Sequence, residues 1–404
     1  MRIVFVSGFA WEPKGTARAR AFPLAAELAK RGHEVTIILT PYDNPAESGR
    51  RKELHGVRIV NVDVGKDSRL RHVPFVIKRL CAAIREHSPD IVHIFKPKGY
   101  AGAVCTWLLM NGSRSVVLDC DDWEGWGGWN DVKAYPWIVK EYINRQEKWL
   151  IRRVPVVTVA SRVLERRAVE LRASSSGVFY IPNCGASRKT DLTNGSAPSA
   201  RGDGAKKSFG LPGGPAIFYG GHFEPADDIM FFCRAAEQAA RRVGATIVFV
   251  GDGPQLPDVK EFFARREGVV VRFFPRLPYE QFLQLVAASD VAAFPFPDIP
   301  IYRAKCSARI VDYMSMGKAI VTTAIGQNLD YIVDGLSGIL APPGDEANFG
   351  RELEKLLQDP QLRVRLGQNA KEQVKTMFSW DGAGVDGCVA AYRQLCGPRA
   401  ALRI

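Results

Sequence analysis

Short apolar segments alternate with helix-forming stretches in two successive series, one before and one after residues 185–214. In the first series, Arg2–Ser7 and Ile91–Phe95 are apolar at nearly every position, and helical patterns such as Phe75–Glu86 separate such runs. Strands that are apolar at successive positions are typical of parallel sheets covered by helices on both faces. The alternation predicts an α/β protein with two Rossmann-like, doubly wound domains that face a cleft.

Residues 185–214 interrupt this alternation with a composition rich in Gly, Ser, Lys and Arg and poor in large apolar residues. Such a composition is typical of loops and linkers. We therefore expect a flexible linker at 185–214 between an N-terminal domain, 1–184, and a C-terminal domain, 215–380. A length of 404 residues agrees with two domains.

The excess of positive over negative charge is confined to the N-terminal half of the chain. Residues 1–190 contain 31 Lys and Arg against 19 Asp and Glu, whereas the remainder contains 24 of each, so the net charge of +12 arises before residue 191. A basic half suits an anionic substrate or a membrane surface. No recognised motif indicates nucleic acid, which is not expected as a partner.

Two basic stretches, Arg69–Arg85 and Lys140–Arg172, also contain aromatic and aliphatic residues, as interfacial helices do. They predict peripheral membrane contact, although surface helices of soluble folds carry the same residue types. No segment approaches the roughly 18 apolar residues that span a bilayer. Met1–Gly8 resembles a buried strand rather than a signal peptide. We expect a cytoplasmic protein, peripheral at the inner face of the membrane.

An acidic stretch rich in Trp and Gly, Asp119–Trp129, follows a predicted buried strand. Its carboxylates can accept hydrogen bonds from sugar hydroxyls, and its indole rings offer flat apolar surfaces. Asp121 and Asp122 are therefore candidate catalytic residues. A helix cap beside a Trp-rich packing corner is one alternative, and a magnesium or calcium site is another. No metal is predicted, because no His or second carboxylate cluster accompanies the stretch.

The turn after the first strand contains Lys14, Gly15 and Arg18 and opens the first helix. A glycine lets backbone approach a ligand, and a helix N-terminus favours an anion. These residues are candidates for binding a phosphate or an anionic acceptor. An ordinary strand-to-helix turn is the alternative.

Glycine turns and basic residues recur at strand ends in the second half. The turns at Gly221–His222 and at Gly253 are predicted to form one nucleotide crevice. Basic residues near a helix N-terminus suit a diphosphate, and an acidic residue there can accept hydrogen bonds from ribose hydroxyls. A solvated basic turn is the alternative. The candidate donor-binding residues in this region are Gly221, His222, Gly253, Arg276, Arg303, Lys305, Arg309 and Asp312.

Several motifs resemble those of retaining GT-B glycosyltransferases of family 4, also called group 1. The segment Asp312–Thr323 (DYMSMGKAIVTT) is similar to the family's donor-site element, and Gly251–Pro254 to its G-x-G-P turn. Leu24–Val35 and Pro89–His93 match elements of the family's N-terminal domain. The resemblance implies transfer from a UDP-, GDP- or ADP-sugar to a glycan, lipid-linked or small-molecule acceptor, with no required cofactor. It also implies a terminal helix, about 381–404, that crosses back to the N-terminal domain.

The sequence departs from the family pattern at two positions that matter for the donor. The first acid of the family's E-x7-E pair is replaced by Ala304, with Asp312 standing for the second. The usual Arg and Lys are missing from Gly221–Asp228, which assigns the diphosphate to Arg303, Lys305 or Arg309. A non-catalytic sugar-nucleotide or glycan-binding protein and a GT-B-fold epimerase or phosphorylase are the alternative functions.

Overall fold

A computed structural model describes residues 1–12, 15–65, 73–185 and 203–396. The chain forms two compact units. The N-terminal unit contains Met1–Asn183, Ala304–Cys306 and the residues from Trp380 onward, and the C-terminal unit contains Cys184–Arg303 and Ser307–Ser379. Each unit has its own sheet, which confirms the prediction of two α/β domains.

The N-terminal unit is built on an eight-stranded sheet in the order β3-β4-β2-β1-β5-β6-β7-β8. All neighbours are parallel except β3, which runs antiparallel to β4. The edge strand β3 was not predicted, because its sequence RKEL is polar and lies at the surface. The strands are β1 Arg2–Ser7, β2 Glu34–Leu39, β3 Arg51–Leu54, β4 Val57–Asn61, β5 Ile91–Phe95, β6 Val116–Cys120, β7 Val156–Val159 and β8 Val178–Tyr180.

Helices pack against this sheet through aliphatic side chains. Val104 and Leu150 contribute to a buried cluster with the strand residues Val6, Ile94 and Leu118. Every residue of β5 and β6 is buried, which agrees with a sheet that is covered on both faces. The helices are α1 Phe22–Lys30, α2 Val73–Glu86, α3 Gly99–Met110, α4 Trp129–Val132, α5 Trp137–Arg153 and α6 Arg162–Arg172.

The C-terminal unit contains a six-stranded parallel sheet in the order β11-β10-β9-β12-β13-β14. Its strands are β9 Ala216–His222, β10 Thr246–Asp252, β11 Val270–Phe274, β12 Val291–Phe294, β13 Ala319–Thr323 and β14 Ile339–Ala341. The helices that follow α6 along the chain are α7 Asp203–Ser208, α8 Ile229–Val243, α9 Leu256–Ala264, α10 Tyr279–Ala288, α11 Pro300–Ala304, α12 Ala308–Ser315, α13 Asn328–Tyr331, α14 Glu346–Gln358, α15 Pro360–Met377 and α16 Val385–Leu395.

The described end of segment 185–214 differs from the expected loop, because residues 203–208 form the helix α7. Ala205 and Leu211 are buried, and the Lys206 ammonium donates to Asp290 Oδ2 at 2.7 Å and to the carbonyl of Gly214 at 2.6 Å. These contacts attach the segment to the C-terminal unit. Residues 186–202 lie outside the described part of the chain.

The helix α16 belongs to the N-terminal unit. Tyr392 on this helix is fully buried, and its hydroxyl lies 2.9 Å from Nδ1 of His93 on β5. Trp380, just before α16, is also buried. Within the described ranges, no helix is both long enough and apolar enough to cross a bilayer.

Candidate active site

Lys96 places its ammonium among three carboxylates at the carboxyl end of β5. Its Nζ lies 2.8 Å from Asp121 Oδ1, 2.6 Å from Asp122 Oδ2 and 3.1 Å from Glu124 Oε1. The strands β5 and β6 are parallel neighbours with Phe95 opposite Asp119, so the residues that follow each strand meet at one sheet edge. Sequence reasoning identified Asp121 and Asp122 but missed Lys96. The available signal was a lysine directly after an apolar strand.

The pKa values of Asp121 and Asp122 differ because the two carboxylates, although both buried, have different charged neighbours. Burial raises the pKa of Asp121 to about 6, and the neighbouring Asp122 and Asp119 add to the effect against the opposing Lys96. Burial also disfavours ionised Asp122, but the Lys96 ammonium outweighs it and lowers the pKa of Asp122. Asp122 is therefore ionised at neutral pH, whereas Asp121 titrates about one pH unit below neutrality.

Lys96 itself remains charged although its side chain is 7% exposed. Burial lowers its pKa, yet the three carboxylates, led by Asp121, raise that pKa well above its ordinary value. Its φ of +76° lies in the left-handed region, which residues with a Cβ rarely adopt, and Pro97 follows it. Strained backbone of this kind is concentrated at functional sites.

A metal site is the alternative for this acidic stretch, and oxygen atoms of Asp121, Asp122 and Glu124 lie within 4.8 Å of one another. The Lys96 ammonium contacts all three of them, and Lys98 forms a second ion pair with Glu124. A divalent cation at this position would meet the charge of Lys96 at short range. The geometry favours an internal ion-pair cluster over a metal site.

A buried network fixes β6 just before Asp121. Arg20 forms a bidentate ion pair with Asp119, with Nε–Oδ1 and Nη2–Oδ2 distances of 2.7 Å. Asp119 Oδ2 also accepts from the Thr158 hydroxyl at 2.7 Å, and that hydroxyl lies 3.2 Å from Nε2 of His93. Burial lowers the pKa of His93 to about 4, so the ring is neutral. Arg20 was not predicted, because it lies within the apolar pattern of the first helix.

The turn after β1 holds the predicted anion-binding residues Lys14, Gly15 and Arg18, and it contacts this cluster through a different residue. Arg18 is engaged with Glu12, with an Nε–Oε1 distance of 3.0 Å. Gly15 is exposed, and a Cβ added there would meet nothing within 4 Å. Thr16, which was not predicted, places its hydroxyl 3.5 Å from Asp121 Oδ2. Lys14 lies outside the described residues.

In the C-terminal unit, the structure brings Asp312 and Arg309 together on α12. Asp312 Oδ1 accepts a hydrogen bond from the Tyr279 hydroxyl at 2.7 Å, and Arg309 Nη1 lies 3.4 Å from Asp312 Oδ2. The Arg309 guanidinium stacks on Phe282, 4.2 Å from the ring centroid. Tyr279 was missed, because sequence reasoning assigned it only to a helix.

The other basic residues predicted for donor binding have neighbours other than Asp312. Arg303 makes a bidentate ion pair with Asp298, with distances of 2.6 and 2.9 Å. Lys305 belongs to the N-terminal unit, where its Nζ lies 5.9 Å from the centroid of the Trp129 ring. Arg276 is exposed in the turn after β11. Of the predicted basic group, Arg309 is therefore the residue placed beside Asp312.

The glycine turns of the second sheet serve close packing of backbone on backbone. A Cβ at Gly251 would lie 1.8 Å from the carbonyl oxygen of Gly221, and one at Gly253 would lie 2.5 Å from the Phe223 nitrogen. The φ angles of Gly251 and Gly253 are +138° and +142°. His222, the last residue of β9, contacts the last residue of β10, since its Nδ1 lies 2.8 Å from Asp252 Oδ1. The glycines are thus required by the fold whether or not a ligand approaches them.

Comparison with known proteins finds relatives that are similar to about half of the chain. Alpha-D-kanosaminyltransferase of Streptomyces kanamyceticus is 25% identical over 196 residues, which cover 47% of this chain and 48% of that protein. The 2-deoxystreptamine glucosyltransferase of the same organism is 28% identical over 220 residues, covering 53% and 54%. The chain therefore spans about half the length of these two relatives.

Similar solved structures extend over almost the whole chain. Sucrose-phosphate synthase of Thermosynechococcus elongatus has a TM-score of 0.75 at 18% identity and covers 98% of each chain. Anabaena HepE in complex with UDP-glucose has a TM-score of 0.71 at 16% identity, covering 96% of this chain and 99% of its own. These likenesses show the GT-B fold.

Two family models match the chain in the order of its two sheets. The glycosyl transferase 4-like domain matches residues 15–184, and the model of glycosyl transferases group 1 matches residues 214–359. Together the two matches cover well over half of the sequence, and each contains most of one sheet. The chain belongs to the group 1 glycosyltransferases of the GT-B fold.

Proposed function

We propose that this protein transfers a sugar from a nucleoside diphosphate sugar to an acceptor hydroxyl, with retention of the anomeric configuration. The observation that carries the proposal is the buried Lys96–Asp121–Asp122 cluster at the carboxyl edge of a doubly wound sheet, in a chain matched by group 1 models in both halves. Ligands in such folds bind at the carboxyl ends of the strands. The proposal names residues 1–184 with about 381–404 as the acceptor-side domain and 215–380 as the donor domain.

In the proposed reaction, Asp122 holds sugar hydroxyls and Asp121 receives the proton of the acceptor hydroxyl. The acceptor oxygen forms a bond to the anomeric carbon on the face from which the nucleoside diphosphate departs with its bonding electrons. A pKa of about 6 leaves Asp121 mostly ionised at neutral pH and therefore able to accept a proton. No cofactor or metal is assigned a step.

The donor is assigned to the C-terminal domain. Asp312, held by Tyr279, accepts hydrogen bonds from ribose hydroxyls, and Arg309 with nearby backbone amides stabilises the departing diphosphate. Anabaena HepE is seen with UDP-glucose, which supports a UDP-sugar as the first donor to test, with GDP- and ADP-sugars beside it. We propose a glycan, a lipid-linked sugar or a small molecule as the acceptor, and a cytoplasmic enzyme with peripheral membrane contact.

A donor panel tests the proposal directly. UDP-, GDP- and ADP-sugars are first compared by thermal shift, and the stabilising donor is then incubated with acceptors while the released nucleoside diphosphate and the product anomer are measured. Stabilisation followed by turnover with a retained anomeric configuration supports the proposal. A product with inverted anomeric configuration would contradict the proposed retention. Failure of every donor to stabilise the protein would contradict the proposed transferase activity.

A non-catalytic sugar-nucleotide or glycan-binding protein is the second candidate, because Ala304 and the Gly221–Asp228 turn lack the family's usual charged residues. It would be stabilised by a donor yet release no nucleoside diphosphate. A GT-B-fold epimerase would convert the sugar of the donor without an acceptor. Chromatography of the sugar nucleotide after incubation distinguishes the two candidates.

A further inference from the structure

The N-terminal end of α5 exposes an unusual concentration of apolar side chains. Trp137 is 68% exposed, Ile138 is 72% exposed and Tyr142 is 54% exposed, with Val132 and Tyr135 also exposed just before the helix. Single exposed apolar residues are ordinary on protein surfaces, whereas a contiguous group of large ones marks an interaction site.

The exposed face continues along α5 with basic residues between the apolar ones. Ile138, Tyr142, Arg145, Trp149 and Arg152 follow one another at intervals of three or four residues, and all five are exposed. Residues at these intervals lie on one side of a helix. We call Val132, Tyr135 and the exposed residues of α5 from Trp137 to Arg153 the α5 surface.

The acids of α5 do not offset its positive charge at this surface. Glu141 accepts hydrogen bonds from Arg145 and from the Trp126 indole, and Glu147 is buried against Arg167. Between Val132 and Arg153 the chain contains six Lys and Arg residues and two acids. The α5 surface therefore combines exposed aromatic rings with a net positive charge.

We propose that the α5 surface lies in the headgroup region of an anionic bilayer. Trp and Tyr rings favour the boundary between headgroups and acyl chains, and Lys and Arg attract anionic headgroups. A second copy of the chain fits less well, because a symmetric contact would bring two sets of like charges together. The proposal rests on the proposed function in one respect, because membrane contact favours a lipid-linked acceptor over a soluble one. Vesicle binding itself can be measured whether or not the protein is a transferase.

Vesicle flotation tests the α5 surface with the full chain. Phosphatidylcholine vesicles with and without phosphatidylglycerol are compared at low and high salt. Wild-type protein is expected to float with the anionic vesicles at low salt and to dissociate as salt rises. The Trp137→Ser/Ile138→Ser variant should bind at least about tenfold more weakly, because two large apolar side chains are lost from the interface. Met377→Ser, which changes an exposed apolar residue of the C-terminal unit, should bind as wild type does.

A second variant separates the charge from the apolar contact. Arg145→Gln/Arg152→Gln, which changes two exposed basic residues of the α5 surface, should weaken binding to anionic vesicles while leaving any residual binding to neutral vesicles unchanged. Equal flotation of wild type and both variants would overturn the proposal, as would wild type that stays unbound at low salt. A wild-type dimer that the Trp137→Ser/Ile138→Ser variant abolishes in sedimentation velocity, without vesicle binding, would assign the surface to a second copy instead.

Thermal stabilisation by a sugar nucleotide, measured on the same variants, separates the test of the α5 surface from the test of the proposed function. Neither variant changes a residue assigned to the donor or the cluster, so stabilisation by the active sugar nucleotide should equal that of wild type. Loss of flotation with unchanged donor stabilisation supports the α5 surface alone. Flotation without any donor response would support the membrane contact while contradicting the proposed transferase.

Discussion

At the scale of single residues, Asp121 gives the site a pH dependence with a defined direction. Burial raises its pKa to about 6, and the proposed role requires its ionised form. We expect kcat/KM to rise with pH through about 6 and to reach a plateau near neutrality. A pH–rate profile measures this limb. Asp121→Asn should remove most of the activity, and a wild-type rate independent of pH between 5 and 7 would contradict the assignment.

Lys96 should affect both the pH at which kcat/KM rises and the stability of the fold. Replacing it with Met leaves Asp121, Asp122 and Glu124 close together without their shared ammonium, which should destabilise the protein by about 3–5 kcal/mol. Because Lys96 opposes the raised pKa of Asp121, the residual activity should rise only at higher pH. Urea unfolding and the pH–rate profile are the measurements. Lys96→Arg keeps the charge and should lie between Lys96→Met and wild type in both.

At the scale of elements, the carboxyl ends of β9 and β10 approach each other closely at Gly221 and Gly251. A methyl group at Gly251 would lie 1.8 Å from the carbonyl oxygen of Gly221, and the φ of +138° is itself unfavourable for alanine. We expect Gly251→Ala to reduce the free energy of unfolding by about 2 kcal/mol or more. Thermal unfolding measures it. Gly213→Ala, where a Cβ meets nothing within 4 Å, is the matched control and should change little.

The buried Arg20–Asp119 pair has the corresponding role at the end of β6. Both side chains are almost inaccessible to solvent, so loss of the guanidinium leaves the Asp119 carboxylate buried without its bidentate partner, although the Thr158 hydroxyl still donates to it. Arg20→Met should therefore cost about 3–5 kcal/mol in urea unfolding. The Arg20→Met/Asp119→Leu double variant should recover part of this loss. A double variant less stable than Arg20→Met would argue against the ion pair as the cause.

At the scale of the whole molecule, donor binding should stabilise the folded chain. A sugar nucleotide at 100 times its Kd adds about 2.7 kcal/mol when it binds only the folded state. Asp312→Asn removes a charged acceptor of ribose hydrogen bonds and should weaken donor affinity about tenfold. Thermal shifts measured over a donor titration report both effects. The variant should retain the wild-type melting temperature without donor, and unchanged affinity would remove Asp312 from the proposed donor site.

The sequence by itself determined two α/β domains with mainly parallel sheets and the position of the acidic cluster. Apolar runs such as Ile91–Phe95 and Val116–Cys120 reflect burial on both faces of a sheet, and burial leaves a local pattern in the residues. The placement of Asp121 and Asp122 after a buried strand needed no further information. The edge strand β3 escaped prediction because its polar residues follow no such pattern.

Only the tertiary structure decided which charges meet. Lys96 reaches Asp121 because β5 and β6 are neighbours, and Arg20 reaches Asp119 across 99 positions of the chain. Strand order and helix crossings set these distances, and no local periodicity encodes them. The same holds for Arg303, which pairs with Asp298, and for Trp137, whose exposure follows from how α5 packs on its unit. Electrostatics and solvent exposure depend on neighbours in space, whereas the sequence pattern reflects neighbours along the chain.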